Sequence, residues 1–378
     1  MSTTSREQGH QEQANREDRV LERIEAFRKR RPRFRDEVVT SAHGAGGKAS
    51  AALIDAVFLE ALSAVATTAP VPGGGSELAD AAVVELASGE RLAVTTDSFV
   101  VKPLRFPGGS IGHLAVNGCV NDLAAVGARP RWLSAAFVLE EGLPVEELRS
   151  VVADMALAAE SAGVQVVTGD TKVVGKGAAD GMYITTTGVG LVPPGRHLGT
   201  GNVRRGDKVL VSGTIGDHGM AVMLARGDLE LECDLRSDSA SLSGLVEDLL
   251  AAAPATRWLR DPTRGGVGTV CNELAVSSGL SVILDEETLP VLPEVAGACD
   301  LLGIDPLYVA NEGKMLAVVP EVEAEAALAA MRDHPLGRRA AIIGEMAGEP
   351  EGIVILRTGF GGTRIVDMLV GDPLPRIC

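Results

Sequence analysis

Three adjacent runs decide the fold. Trp132-Leu133-Ser134-Ala135-Ala136-Phe137-Val138-Leu139 is short and apolar. Val145 to Ala162 has the apolar spacing of a strong amphipathic helix. Val164-Gln165-Val166-Val167-Thr168 is again short and β-branched. Strand, helix, strand in this order predicts an α/β layer arrangement. The pattern extends on both sides. Upstream, Ile111 to Val126 reads as a helix with small residues on one face. Ala81 to Leu86 and Leu92 to Thr96 are strand-like runs bracketing the turn Ser88-Gly89-Glu90. Lys48 to Leu62 has helical periodicity through Leu53, Ile54, Val57, Phe58 and Leu62. Downstream, Met182 to Val192 is a strand.

A break follows at Val192-Pro193-Pro194-Gly195 and runs through Arg204-Arg205-Gly206-Asp207, marking a domain boundary. The second half restarts with a strand at Lys208 to Ser212. Helices are expected near Met220 to Ala225, Ser243 to Ala252 and Val267 to Ser278. Strands are expected at Ser281 to Leu284, Met315 to Val319, Ala340 to Glu345 and Gly352 to Leu356. The reading is therefore two mixed α/β domains, 36–195 and 196–371. Before them lies a charged extension, 1–35, with ten Lys/Arg and six Asp/Glu, expected to be disordered. After them comes a tail, 372–378.

Composition narrows the function. Of the 378 residues, 46% are hydrophobic and only 3% aromatic, while Gly numbers 45. Interiors must be built from small aliphatic residues with close backbone approach. A net charge of −16 argues against nucleic acid and anionic membrane as partners. An anionic nucleotide ligand would need divalent metal to offset that charge. The five cysteines include no CxxC pair, so they form no disulfide framework and indicate a reducing, cytoplasmic compartment. No signal peptide or membrane span is expected.

The chain ends Asp372-Pro373-Leu374-Pro375-Arg376-Ile377-Cys378. Two prolines favour extended backbone, so this is a semi-stiff arm that reaches about 25 Å at about 3.1 Å per residue. A thiol at its end can visit a distant pocket; the plain alternative is a chance cysteine in a frayed terminus.

His43-Gly44-Ala45-Gly46-Gly47-Lys48 precedes a helix, where free N–H groups and a lysine suit phosphate. It is not a Walker A loop, because Ala42 and Ala49 replace required residues. Four acidic motifs recur: Thr95-Thr96-Asp97-Ser98, Asn121-Asp122, Thr168-Gly169-Asp170-Thr171-Lys172 and Asp261-Pro262-Thr263-Arg264-Gly265-Gly266. Asp97 and Asp170 are expected at the carboxyl ends of strands. Each Asp alone reads equally as a cap or turn; together, carboxylates beside Thr and Asn suit Mg²⁺. The scattered histidines exclude a zinc site. The run from Asp261 opens a second phosphate-binding helix. Asn311-Glu312-Gly313-Lys314 offers Glu312 as a general base or, equally, as a hydrated turn carboxylate.

These motifs resemble the HypE family of nickel–iron hydrogenase maturation factors. The resemblance rests on Thr95 to Pro130, with Pro107-Gly108-Gly109 and Val116 to Leu123, on Thr168 to Val174, on Asp261 to Gly266 and on the ending Pro375-Arg376-Ile377-Cys378. The loop and aspartates are shared with aminoimidazole ribonucleotide synthetases (the PurM-like fold), selenophosphate synthetases and thiamine-monophosphate kinases. The terminal cysteine singles out the maturation factors, and the N-terminal extension departs from them. The resemblance implies a two-domain PurM-like fold whose first domain supplies strands to a β-barrel completed by a second subunit, hence a homodimer. It implies ATP-dependent dehydration of an S-carbamoyl group on Cys378 to a thiocyanate, with HypF as carbamoyltransferase and HypC–HypD as scaffold.

The implied roles follow. Cys378 is the acceptor, Glu312 the proton acceptor, and Lys172 its electrostatic partner. Gly44, Gly46, Gly47, Lys48, Asp170, Thr171, Thr263, Arg264 and Gly265 contact ATP. Asp97, Asp122 and Asp261 hold Mg²⁺. Arg376 is expected to offset the terminal carboxylate beside the thiol. A small-molecule kinase or synthetase would explain the same loop but leave the tail idle; a non-catalytic thiol carrier would explain the tail alone.

Overall fold

The computed structural model describes residues 36–62, 79–227, 233–369, 371, 374 and 376–378. The 1–35 extension and the tail prolines 373 and 375 lie outside them. The first helix, α1 (Lys48–Leu53), continues through a π-helical turn, Ile54–Leu59, into Glu60–Leu62, so the expected helix runs its full length. Strands β1 (Ala82–Glu85) and β2 (Arg91–Phe99) form the expected hairpin. A two-residue pair, β3 (Arg105–Phe106) and β4 (Gly109–Ser110), leads into α2 (Ile111–Ala125). Then come β5 (Arg129–Glu140), α3 (Val145–Ala162), β6 (Gln165–Val174) and β7 (Met182–Val192).

The sheet order is β1-β2-β7-β5-β6. β5 and β6 are parallel with α3 as their crossover, and the other pairings are antiparallel. One face is covered by α2 and α3 around Phe99, Ile111, Leu114, Leu133, Val151 and Ile184. The small residues of α2 make this possible. A Cβ on Gly112 would meet the Val151 carbonyl at 2.3 Å, and one on Gly118 the Phe99 ring at 2.8 Å. Edge strand β6 has no such cover, and Val166, Val167 and Val173 stand exposed.

The second sheet has seven strands in the order β14-β13-β10-β12-β8-β11-β9. Its strands are β8 (Lys208–Val211), β9 (Trp258–Arg260), β10 (Ser281–Asp285), β11 (Leu316–Val319), β12 (Ala341–Ala347), β13 (Val354–Arg357) and β14 (Thr363–Val366). Its helices are α4 (Asp217–Arg226), α5 (Ser243–Ala252), α6 (Gly266–Ser278), α7 (Pro293–Leu302) and α8 (Ala324–Asp333). β9, β14, α7 and α8 were not anticipated. The first two are three and four residues long, and half of the residues of α8 are alanine. One apolar cluster lies under α6 and another under α5 and α8.

The strand containing Asp170 corrects the sequence reading. β6 does not stop at Thr168 but runs on to Val174, so Asp170 sits within a strand rather than beyond its end. Pairing with β5 continues through Asp170 opposite Ala136 and Lys172 opposite Val138, and this ladder carries the backbone past the polar residues. Asp97 likewise lies inside β2, opposite Thr186.

A charged clamp ties the two sheets together. Glu247 on α5 accepts from Arg129 of β5 at 2.9 Å and from Arg196 of the intervening segment at 2.5 and 2.8 Å. The two guanidinium groups hold its carboxyl down at about 2, against 4.5 unperturbed. The unfolded chain therefore takes up the proton first, and this contribution is complete above about pH 4.5 and vanishes as pH falls toward 2. Glu247→Gln should cost about 1–3 kcal/mol at pH 7. Calorimetry at pH 7 and at pH 3 should find the gap to wild type narrowed at the lower pH.

Candidate functional site

The chain terminus is docked, not free. Leu374 and Ile377 are 3% exposed and pack into a cluster with Met220, Met223, Val295 and Val309. The tail backbone is held at four points: Val100 N–H donates to a Cys378 carboxylate oxygen at 3.0 Å, Lys102 N–H and Arg226 to the Arg376 carbonyl at 3.4 and 2.9 Å, and His218 to the Ile377 carbonyl at 2.9 Å. The Cys378 thiol lies beside the Glu312 carboxyl, and each acts on the other's pKa. Burial, then the Glu312 charge, push the thiol well above its usual range, while Arg264 pulls the other way. The expected role of Arg376 is not what the geometry provides. Its guanidinium pairs with Asp180, which Lys102 also binds at 2.9 Å, and Arg264 is the cation that faces the thiol.

Glu312 is no hydrated turn residue. It is 3% exposed, between Asn311 at 1% and Lys314 at 7%. Each neighbour has a reason to be there. Asn311 donates to the Pro262 carbonyl at 2.9 Å and accepts the Gly216 amide at 2.7 Å, stitching three loops together. A Cβ on Gly313 would lie 1.7 Å from the Asp238 carbonyl, so only glycine fits. Lys314 donates to Asp238 at 2.9 Å, and Asp238 accepts the Glu312 amide at 3.0 Å. Asn121 of α2 reaches across to the Glu312 carbonyl at 3.2 Å. Burial raises the Glu312 pKa well above its usual value, and the charges of Asp261, Asp97 and Asp238 add to it. Its Oε1 is buried without a hydrogen-bond partner.

Next to this pair lies a carboxylate cluster. Asp80, Asp122 and Asp261 bring oxygens within 4.8 Å of one another. Asp122, contacted by Thr95 Oγ1 at 2.7 Å, is raised well above its usual pKa by burial and by Asp261, Asp80 and Asp97. Asp261 is pushed up to about 6, mainly by burial, despite Arg260 beside it. Asp97 borders the cluster; its charge acts on Asp122, Asp261 and the thiol, and burial raises its own pKa. Asp80 escaped the sequence reading. It stands just before β1, five residues after Gly75 and with no Thr or Gly beside it, and the hairpin carries it to Asp122 and to Arg260, 2.7 Å away.

The two glycine-rich segments meet. Arg264 donates to the Gly44 carbonyl at 3.1 Å, and a Cβ on Gly46 (φ 75°) would press on the Arg264 carbonyl at 3.0 Å. Gly47 precedes α1, whose Lys48 ammonium sits on Asp367 at 2.7 Å. Thr263 accepts the Gly266 amide at 3.0 Å, and Gly265 (φ 76°) caps α6. Asp170, Thr171 and Lys172 are not brought to this site within the chain. Asp170 binds the Thr171 amide at 2.8 Å and Lys172 at 2.7 Å on β6. That edge is three strands from β2, about 14 Å at ~4.8 Å per strand.

Among the described residues, no helix is long and apolar enough to cross a membrane. The profile of the AIR synthase related protein N-terminal domain matches residues 78–192, and that of the C-terminal domain matches 204–357. A carbamoyl dehydratase HypE of Rhodobacter capsulatus is 55% identical over 345 residues, 91% of this chain and 99% of its own. A crystal structure of a HypE–HypF complex superposes with a TM-score of 0.77 at 47% identity, covering 84% of this chain and 100% of that one. A HypE structure in complex with ATP gives 0.73 at 44% identity, covering 90% and 100%. With its terminal cysteine against a buried glutamate, its aspartate cluster between two sheets and these matches over nine-tenths of its length, the chain belongs to the AIR synthase related proteins and, among them, to the HypE family.

Proposed function

We propose that this chain is an ATP-dependent carbamoyl dehydratase whose substrate is its own terminus. It converts an S-carbamoyl group on Cys378 into a thiocyanate, the source of the cyanide ligands on the iron of a nickel–iron hydrogenase. The observation that carries the reading is the seating of the Cys378 thiol against Glu312, beside the aspartate cluster. The HypE relative named as a carbamoyl dehydratase and the HypE structure with ATP support it.

The reaction balances as thiocarbamate plus ATP giving thiocyanate, ADP and phosphate. The carbamoyl oxygen displaces ADP at the γ-phosphorus. The C–O bond then breaks with phosphate as leaving group, and the nitrogen gives up both hydrogens. Oxygen alone leaves an amide poorly; phosphate leaves well. Glu312 supplies the proton acceptor: its partnerless Oε1 has room for one N–H, and burial makes the carboxylate a strong base. The second proton leaves with phosphate. Arg264, already facing the thiol and Asp97, balances charge on the transferred group. Gly44, Gly46, Gly47, Lys48, Thr263 and Gly265 are the residues we assign to the ATP phosphates, where the two glycine-rich segments converge.

Asp80, Asp122 and Asp261 fit Mg²⁺. They are hard oxygen donors at ligand spacing, and the raised pKa values of Asp122 and Asp261 register burial first and then repulsion from neighbouring carboxylates, both of which a divalent cation would offset. When bound, the cation would screen the phosphates. Asp97 is the adjoining candidate.

Lys172, with Asp170 and Thr171, enters the scheme only through a second copy. The exposed apolar strand β6 is the edge at which two sheets would close a barrel, and Lys172 of the partner subunit would then face the carbamoyl group. We therefore assign a homodimer. HypF is the proposed carbamoyl donor enzyme, in keeping with the HypE–HypF structure, and HypC–HypD the proposed acceptor scaffold. Five free cysteines fit a reducing cytoplasm.

Three measurements test this reading. With carbamoylated protein and ATP, mass spectrometry should show the Cys378 adduct losing one water. Glu312→Gln should slow that loss by about 100-fold or more, and an unchanged rate would remove Glu312 from the chemistry. Mg²⁺ should raise the thermal midpoint of wild type by about 2–4 °C and that of Asp261→Asn by much less. Deleting Cys378 should leave ATP binding intact while abolishing thiocyanate and hydrogenase maturation; continued cyanide delivery would refute the proposal.

A further inference from the structure

His218 lies in the first turn of α4 and is fully buried, with its ring edge-on to Phe106 (centroids 5.4 Å apart, interplanar angle 84°). Both ring nitrogens are engaged: Nδ1 is 2.8 Å from Ser237 Oγ, and Nε2 is 2.9 Å from the Ile377 carbonyl. The partners dictate the tautomer. A carbonyl only accepts, so Nε2 carries the hydrogen. Burial disfavours a second ring hydrogen, so Nδ1 accepts from Ser237 Oγ, which in turn accepts the Ser239 amide at 3.1 Å. The imidazole is thus neutral, in accord with the lowering of its pKa by burial.

The carbonyl that His218 holds belongs to the last peptide bond of the chain, the one attached to Cys378. Ser237, which orients His218, is followed by Asp238, which binds the Glu312 amide and Lys314. One dipeptide therefore sets both sides of the encounter between thiol and glutamate. This dipeptide is itself anchored: Ser237 N–H donates to the Pro107 carbonyl at 2.8 Å. Arg376, just before the held peptide, adopts φ 62°, a left-handed conformation that a non-glycine residue keeps only when its surroundings impose it.

We propose that His218 is a positioning residue for the acceptor thiol: its Nε2–H locks the plane of the Ile377–Cys378 peptide so that Sγ meets Glu312. The apolar contacts of Leu374 and Ile377 keep the tail in its groove; the imidazole fixes where the thiol points. The inference rests on reading Cys378 as the acceptor, but its test needs no turnover, so the two can fail separately.

The test is alkylation of the full-length protein with iodoacetamide, read cysteine by cysteine by mass spectrometry. Exposed Cys233 is the internal standard, and buried Cys271 and Cys299 report on the fold. Gln at 218 can present an N–H near the position of Nε2, whereas Asn reaches only the Nδ1 side and Leu offers neither. Relative to Cys233, labelling of Cys378 should rise about tenfold in His218→Asn and His218→Leu and stay within about twofold of wild type in His218→Gln. Cys271 and Cys299 should remain unlabelled throughout. Equal labelling in the Gln and Leu variants, labelling of Cys271 or Cys299 together with Cys378, or wild-type Cys378 reacting as fast as Cys233 would each overturn the proposal.

Discussion

Negative charge crowded into a dry place is the constraint on which the rest depends. Asp80, Asp97, Asp122, Asp261 and Glu312 converge between two sheets; burial lifts the pKa of the last four, and repulsion adds to it in Asp122, Asp261 and Glu312. Such a cluster persists only if the surrounding structure compels it. Compulsion comes from the backbone: Asn311 and Asn121 pin the Glu312 loop from opposite domains, Gly313 admits the Asp238 carbonyl, and Lys314 and Arg260 supply nearby positive charge. On the proposed function, a cation would relieve the energy stored in this arrangement, and the same burial would make Glu312 a strong base.

The docked terminus uses the same environment differently. Seated beside Glu312 and Asp97, the thiol is held well above its usual pKa, which suppresses the thiolate and with it chance alkylation or oxidation in the resting state. On the proposed function, carbamoylation by another enzyme would require that thiol to be reached, so the tail would have to leave its groove and return. The attachments match that need. Leu374 and Ile377 contribute apolar burial, while Arg376 with Asp180 and Arg226 contribute exposed polar contacts that water can replace.

Much of this was legible beforehand. Periodicity located α1, α2, α3, β5 and β7 closely, because each is long enough for its apolar spacing to dominate. The motifs at Asp97, Asp122 and Asp261 were each ambiguous between cap, turn and ligand, and Glu312 between base and hydrated turn residue; the fold unites them. Asp80 was silent because nothing local marks it. Asp170 was misplaced because β6 runs through polar residues that look like a strand end, held by pairing with β5. His218 and Ser237 carry no motif; their role exists only because α4, the Ser237 segment and the chain terminus converge.

The amino-acid sequence alone determined the layer order, the acidic and cysteine-poor character and the chemical inventory: a terminal thiol, glycine-rich loops and oxygen ligands. These are properties of short windows, written in spacing and composition. Only the tertiary structure decided which carboxylates are neighbours, which cation faces the thiol, and that Lys172 cannot reach the site within its own chain. Those outcomes depend on distances between residues hundreds of positions apart, and on the low dielectric created when they are brought together, which no local pattern encodes.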